Sequence, residues 1–101
     1  MPTRSPYNTL TAAGTTAADA AVVNADTVLL TGANAAGAIL QDMDLNQEVV
    51  IVNGEASASF FIYPKSGGKF NNATADRPVT LPPNRAARFK AINNLDCIVF
   101  I

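Results

Sequence analysis

Four consecutive β-branched residues, Val49-Val50-Ile51-Val52, constrain the fold of this chain more than any other stretch. Branching at Cβ restricts the side chain in a helix and suits the pleated surface of a sheet. The run is apolar on both faces, so it reads as a central strand covered on each side, which requires at least two layers. Asn53-Gly54 follows at once. Both residues tolerate positive φ, which a type I′ turn needs twice, so the pair predicts a hairpin. Its return strand is expected over residues 56–63, with Ala56, Ala58, Phe60 and Ile62 on one face and Ser57, Ser59, Phe61 and Tyr63 on the other.

Other segments follow the same strand-and-turn rhythm. Val22-Val23 and Thr27-Val28-Leu29-Leu30 form two strands or one bulged strand around Asn24-Ala25-Asp26, and Ala38-Ile39-Leu40 precedes an acidic turn at Asp42-Met43-Asp44. Val79-Thr80-Leu81 is fenced by Pro78 and Pro82-Pro83, which places it at a sheet edge or keeps it very short. Residues 85–92 alternate, with Ala87, Phe89 and Ala91 facing inward and Arg88 and Lys90 outward. After Asn93-Asn94 the chain closes on Leu95-Asp96-Cys97-Ile98-Val99-Phe100-Ile101. Here Leu95, Cys97, Val99 and Ile101 would cover one face and Ile98 and Phe100 the other. No helical period competes, so the expected fold is all-β, a small β-sandwich or barrel with an extended N-terminal arm.

The arm is residues 1–21 and the β domain residues 22–101. Threonines and alanines dominate the arm around Gly14, and Tyr7 and Leu10 are its large apolar side chains. Such a segment does not offset its own ordering entropy, so it is expected to be either a floppy terminus or an arm ordered on a neighbouring molecule, anchored there by Tyr7 and Leu10.

Chemistry is sparse in the sequence. There is no histidine, and no serine stands in a nucleophile-elbow context, so no enzyme activity and no cofactor are expected. Cys97, the single cysteine, sits among apolar residues beside Asp96 and reads as a buried, inert thiol. Gly67-Gly68-Lys69 lacks phosphate-loop spacing, with Phe70 where Ser or Thr should stand. Asp42, Asp44 and Asn46 match the first calcium-loop ligands, but Gln47 replaces the glycine and Asn53 the glutamate, so no metal is assigned. The net charge of -1 gives no basis for nucleic-acid binding, and no run approaches membrane-spanning length. Acidic residues concentrate before Lys65 and basic ones from there onward, an asymmetry suited to steering one subunit against the next.

Three stretches together resemble a known family. Val49-Val50-Ile51-Val52-Asn53-Gly54, then Phe61-Ile62-Tyr63-Pro64-Lys65-Ser66-Gly67-Gly68-Lys69-Phe70-Asn71, then Val79-Thr80-Leu81-Pro82-Pro83-Asn84-Arg85-Ala86-Ala87-Arg88-Phe89-Lys90-Ala91-Ile92 are similar to a small β domain of tailed-bacteriophage structural proteins. Val28-Leu29-Leu30 matches its opening strand. Where such domains commonly carry a Trp in the last strand, this chain has Cys97 and Ile98. The resemblance implies a virion part, of the decoration or cement kind that binds as a trimer between capsomers. Its partners would be further copies of itself and the major capsid protein, on the capsid surface after a period in the host cytoplasm. Ile98, Phe100 and Ile101 are the candidate subunit interface. Tyr7, Leu10, Arg85, Arg88 and Lys90 are candidate contacts to capsid or neighbour. A tail or neck adaptor, or a carbohydrate-binding β-sandwich using Tyr7 or Tyr63, are the alternatives.

Overall fold

Nine strands carry the chain, in a computed structural model that describes residues 5–23, 25–40, 43, 45–71, 73–93 and 95–101. They are β1 (Ser5–Thr11), β2 (Ala21–Val22), β3 (Ala25–Thr31), β4 (Gly37–Ile39), β5 (Glu48–Asn53), β6 (Phe60–Tyr63), β7 (Val79–Leu81), β8 (Ala86–Ala91) and β9 (Cys97–Phe100). One 3₁₀ turn, Ala17–Asp19, lies between β1 and β2, with Asp19 Oδ1 accepting from the Thr16 amide and hydroxyl. The fold is all-β, a small sandwich of a five-stranded sheet ordered β1-β3-β5-β8-β9 and a four-stranded sheet ordered β2-β4-β6-β7.

The first six strands alternate between the two sheets. Neighbouring parallel strands need a long crossover, and here a strand of the opposite sheet supplies it in place of a helix. The chain thus makes three turns of a flattened coil: β1, β3 and β5 stack in parallel on one side, and β2, β4 and β6 on the other. Asn8, Val28 and Ile51 occupy successive rungs of one sheet, as do Ala21, Ala38 and Ile62 of the other. The last three strands close the coil with antiparallel pairs, β7 on β6, β8 on β5 and β9 on β8.

This topology corrects the expected hairpin. β5 and β6 lie in different sheets, and neither Asn53 nor Gly54 has positive φ. The Gly54 amide instead extends the parallel ladder by donating to Leu30 O. Asn53 is the buried polar side chain that joins the layers. Its Nδ2 donates toward Ala58 O at 2.7 Å, Leu81 O at 3.1 Å and Pro82 O at 3.0 Å, while Oδ1 accepts from the Glu55 amide at 2.9 Å. Val22 and residues 27–30 prove to belong to separate strands in separate sheets, β2 and β3.

A second correction concerns the arm. The N-terminal segment is extended, but β1 lies on β3 of its own chain, register-matched from Ser5↔Ala25 to Thr11↔Thr31. Leu10 packs on the chain's own core, and the boundary expected after residue 21 falls inside β2. Main-chain pairing supplies the order that the poor apolar content of this segment does not.

The core forms where the inward faces meet. Val28 and Leu30 from β3, Val49 and Ile51 from β5, and Phe89 from β8 oppose Phe60, Ile62 and Leu81 of the other sheet, all fully enclosed. Phe70 closes one end against Phe89, ring centroids 5.3 Å apart. β7 is an edge strand between its prolines, and β8 buries Ala87, Phe89 and Ala91, both as the sequence predicts. Gly37 permits the close approach of Tyr63, whose ring would lie 2.8 Å from a Cβ there and whose hydroxyl donates to Thr15 O.

Candidate assembly surface

The outer face of the five-stranded sheet carries several large apolar side chains that the core does not use. In β9, Cys97 and Val99 turn inward while Ile98 and Phe100 stay exposed, as alternation predicts. Register sets Arg88 beside Phe100 and Lys90 beside Ile98 on this face. Ile92, 45% exposed, follows Lys90 just beyond the end of β8.

Charge within the patch is already organised by the chain itself. The Arg88 guanidinium stands 5.1 Å from the Phe100 ring centroid, and its Nε lies 3.3 Å from Glu48 Oε1. Glu48 in turn pairs in register with Lys90. An acidic residue of the first half and a basic residue of the second therefore meet inside one sheet, so this pair draws on the sequence asymmetry within the molecule. Arg88 flattens over Phe100 and leaves an apolar ring edged by compensated charge. Arg85 is exposed in the turn leading into β8, where its carbonyl accepts from the Asn53 amide.

The other predicted site residues are not gathered here. Tyr7 is exposed on β1, at the opposite edge of the sheet from β9, about 19 Å away across four strand spacings. Leu10 on the same strand is turned to the core. Leu95 and Ile101, expected beside Cys97 and Val99 on the inner face, are exposed because the strand spans only Cys97–Phe100. Ile101 instead lines a cleft of about 400 Å³ with Phe70, Arg77, Pro78 and Val79. It does not share the face of Ile98 and Phe100. Asp42 and Asp44 of the acidic turn lie outside the described residues.

Asn71 has a role that sequence reasoning did not assign. Along its free side, β9 is clasped by residues 69–71: the Cys97 amide donates to Lys69 O, the Asn71 amide to Cys97 O, and the Val99 amide to Asn71 Oδ1 at 2.8 Å. Asn71 Nδ2 reaches back to Val99 O at 3.4 Å. The side-chain amide thus stands in for a neighbouring strand and closes the edge. The one signal in the sequence was the glycine-containing loop ending on an Asn, part of the phage resemblance. Gly68 is required in that loop, since a Cβ there would lie 2.2 Å from Leu95 O. The loop also uses its own anion: Asp76 Oδ1 accepts from the Gly67 amide at 2.6 Å.

Cys97 is buried, with its Sγ 4.0 Å from Met43 Sδ. Burial, aided by the Asp96 carboxylate, pushes its thiol up to about 11. Such a thiol is not a nucleophile at neutral pH. No protein-family model, curated protein or solved structure matches this chain.

Proposed function

We propose that this protein is a structural component of a tailed-phage virion, a decoration or cement protein that binds between capsomers as a trimer and stabilises the capsid. The observation that carries this reading is the exposed pair Ile98 and Phe100 on the outer face of the five-stranded sheet, extended by Ile92 and framed by Arg88 and Lys90. Large apolar side chains grouped on a sheet face favour a surface to be covered over one for turnover. The sequence resemblance adds the identity of the particle, and the turns that carry it have structural work in the fold: Asn53 joins the sheets and Asn71 closes β9.

In this role the protein acts through buried area and shape. Copies of the chain would meet through Phe100 and Ile98, and the major capsid protein would be met by the remaining exposed surface, Arg85 included. A density map of the intact particle should place the protein on the capsid surface; density confined to the tail or neck would make it an adaptor. Sedimentation of the isolated chain should show an oligomer at micromolar concentration, and Phe100→Asp should dissociate it without unfolding the sandwich. A monomer in the unmodified chain, or unchanged oligomer size in the variant, would overturn the interface.

A further inference from the structure

The two sheets have four edges, and they are not equivalent. β9 is closed by the backbone of residues 69–71 and by the Asn71 side chain. β7 is three residues long and bounded by prolines at positions 78, 82 and 83, and β2 has only two residues. β1 is different: it is seven residues long and, among the described residues, pairs on one side only, with β3.

The polarity of that pairing can be read from one hydrogen bond. The Ala12 amide donates to Thr31 O, continuing the ladder of a parallel pair whose register is Thr11↔Thr31. Alternation then directs the main-chain groups of Asn8 and Leu10 toward β3 and those of Tyr7, Thr9 and Thr11 away from it. All three outward residues are exposed, and among the described residues no hydrogen bond meets their main-chain groups on that side. None of the residues in β1 carries a charge.

We infer that the outer edge of β1 is a pairing site for β1 of a second copy, running antiparallel about a two-fold axis at Thr9. Thr9 would face its own counterpart, and Tyr7 would face Thr11 in both directions. Because the outward groups belong to residues 7, 9 and 11, each facing pair exchanges both of its bonds, about six hydrogen bonds in all. The cross-strand neighbours are Thr with Thr and Tyr with Thr, combinations that suit a sheet, and no like charges are opposed. The second copy is favoured over a chain-like array because the far end of the same sheet is closed by Asn71. A β1 edge of one copy therefore finds no β9 edge on the next, and the contact closes as a dimer instead of growing into a filament. This site is separate from the Ile98 and Phe100 face and does not depend on the virion reading.

The test is made in the full chain carrying Phe100→Asp, so that association through the other face is removed. Sedimentation from about 1 μM to about 1 mM should show a monomer–dimer equilibrium, and adding Thr9→Pro should weaken it at least about tenfold. Proline at residue 9 removes an outward amide and leaves the bonds to β3 in place, whereas Leu10→Pro would break the internal ladder. Amide exchange in the chain without Thr9→Pro gives a second readout: Tyr7, Thr9 and Thr11 should be protected at high concentration and exchange freely on dilution. A monomer throughout, a dimer indifferent to Thr9→Pro in a folded variant, or concentration-independent exchange at these three amides would overturn the proposal.

Discussion

Asn53 shows how much one side chain holds in this protein. It is 1% exposed, and its amide bonds to the carbonyls of Ala58, just before β6, and of Leu81 and Pro82, at the end of β7, while it sits at the end of β5 in the opposite sheet. Truncation leaves buried carbonyls without a donor, so Asn53→Ala should cost about 2–3 kcal/mol, read as a lower urea midpoint. For a domain of this size that corresponds to a melting temperature lower by roughly 10–20 °C. Asn53→Asp should be worse at neutral pH, because a carboxylate would then face those same carbonyls. Cys97 gives a prediction with a sign. Its thiol is raised from 9.0 to about 11 in the fold, so below about pH 9 both states hold the proton and the term is constant. Between pH 9 and 11 the unfolded chain loses the proton first, and stability should fall. Urea midpoints of the unmodified chain should therefore drop relative to those of Cys97→Val across that window, with the gap constant below it.

At the level of elements, the informative contrast is between β9 and β1. In sequence β9 presents a second apolar face, Ile98 and Phe100, that asks for cover from another chain. The fold separates two needs that the residue pattern merges: the backbone edge is covered internally by residues 69–71, and only the Ile98 and Phe100 face remains. Asn71→Ala should free the Val99 amide and carbonyl, cost about 1–3 kcal/mol, and speed hydrogen exchange at Val99 while Ile51 and Phe89 stay protected. Equal exchange at Val99 in both chains would show that Asn71 is not the clasp. For β1 the reverse holds. Its composition promised an arm with no home, because Leu10 is its one large apolar side chain turned inward. Backbone ladder bonds to β3 do not depend on side-chain type, which is why composition failed to reveal them.

The whole molecule is a coil closed by a meander, and that order has kinetic consequences. Asn8 pairs with Val28 and Val28 with Ile51, so each rung forms only after a loop of about twenty residues has closed and a strand of the other sheet has crossed. Folding should therefore fall in the millisecond-to-second range characteristic of non-local β topologies, which stopped-flow refolding would measure. A microsecond phase carrying the full amplitude would contradict the topology. Charge distribution also takes its meaning at this scale. The acidic and basic halves of the sequence interleave in the five-stranded sheet, where Glu48 of β5 faces Lys90 of β8 and Arg88 pairs with Glu48.

The strands of greatest periodicity are legible in the amino-acid order alone. The β-branched run of β5, the alternation of β8 and β9, and the proline-bounded β7 were legible because burial on one or both faces dictates residue type at every position. The outward turn of Ile98 and Phe100 followed from the same alternation. Which strands pair was decided only by the tertiary structure. Asn53-Gly54 carries a strong local preference for a hairpin, yet pairing both edges of β5 with β3 and β8 while burying Val49 and Ile51 against the other sheet overrides it, and Asn53 is drawn into the interior as a polar joint. The clasp of Asn71 and the open edge of β1 depend on partners distant in sequence, so no local pattern could state them.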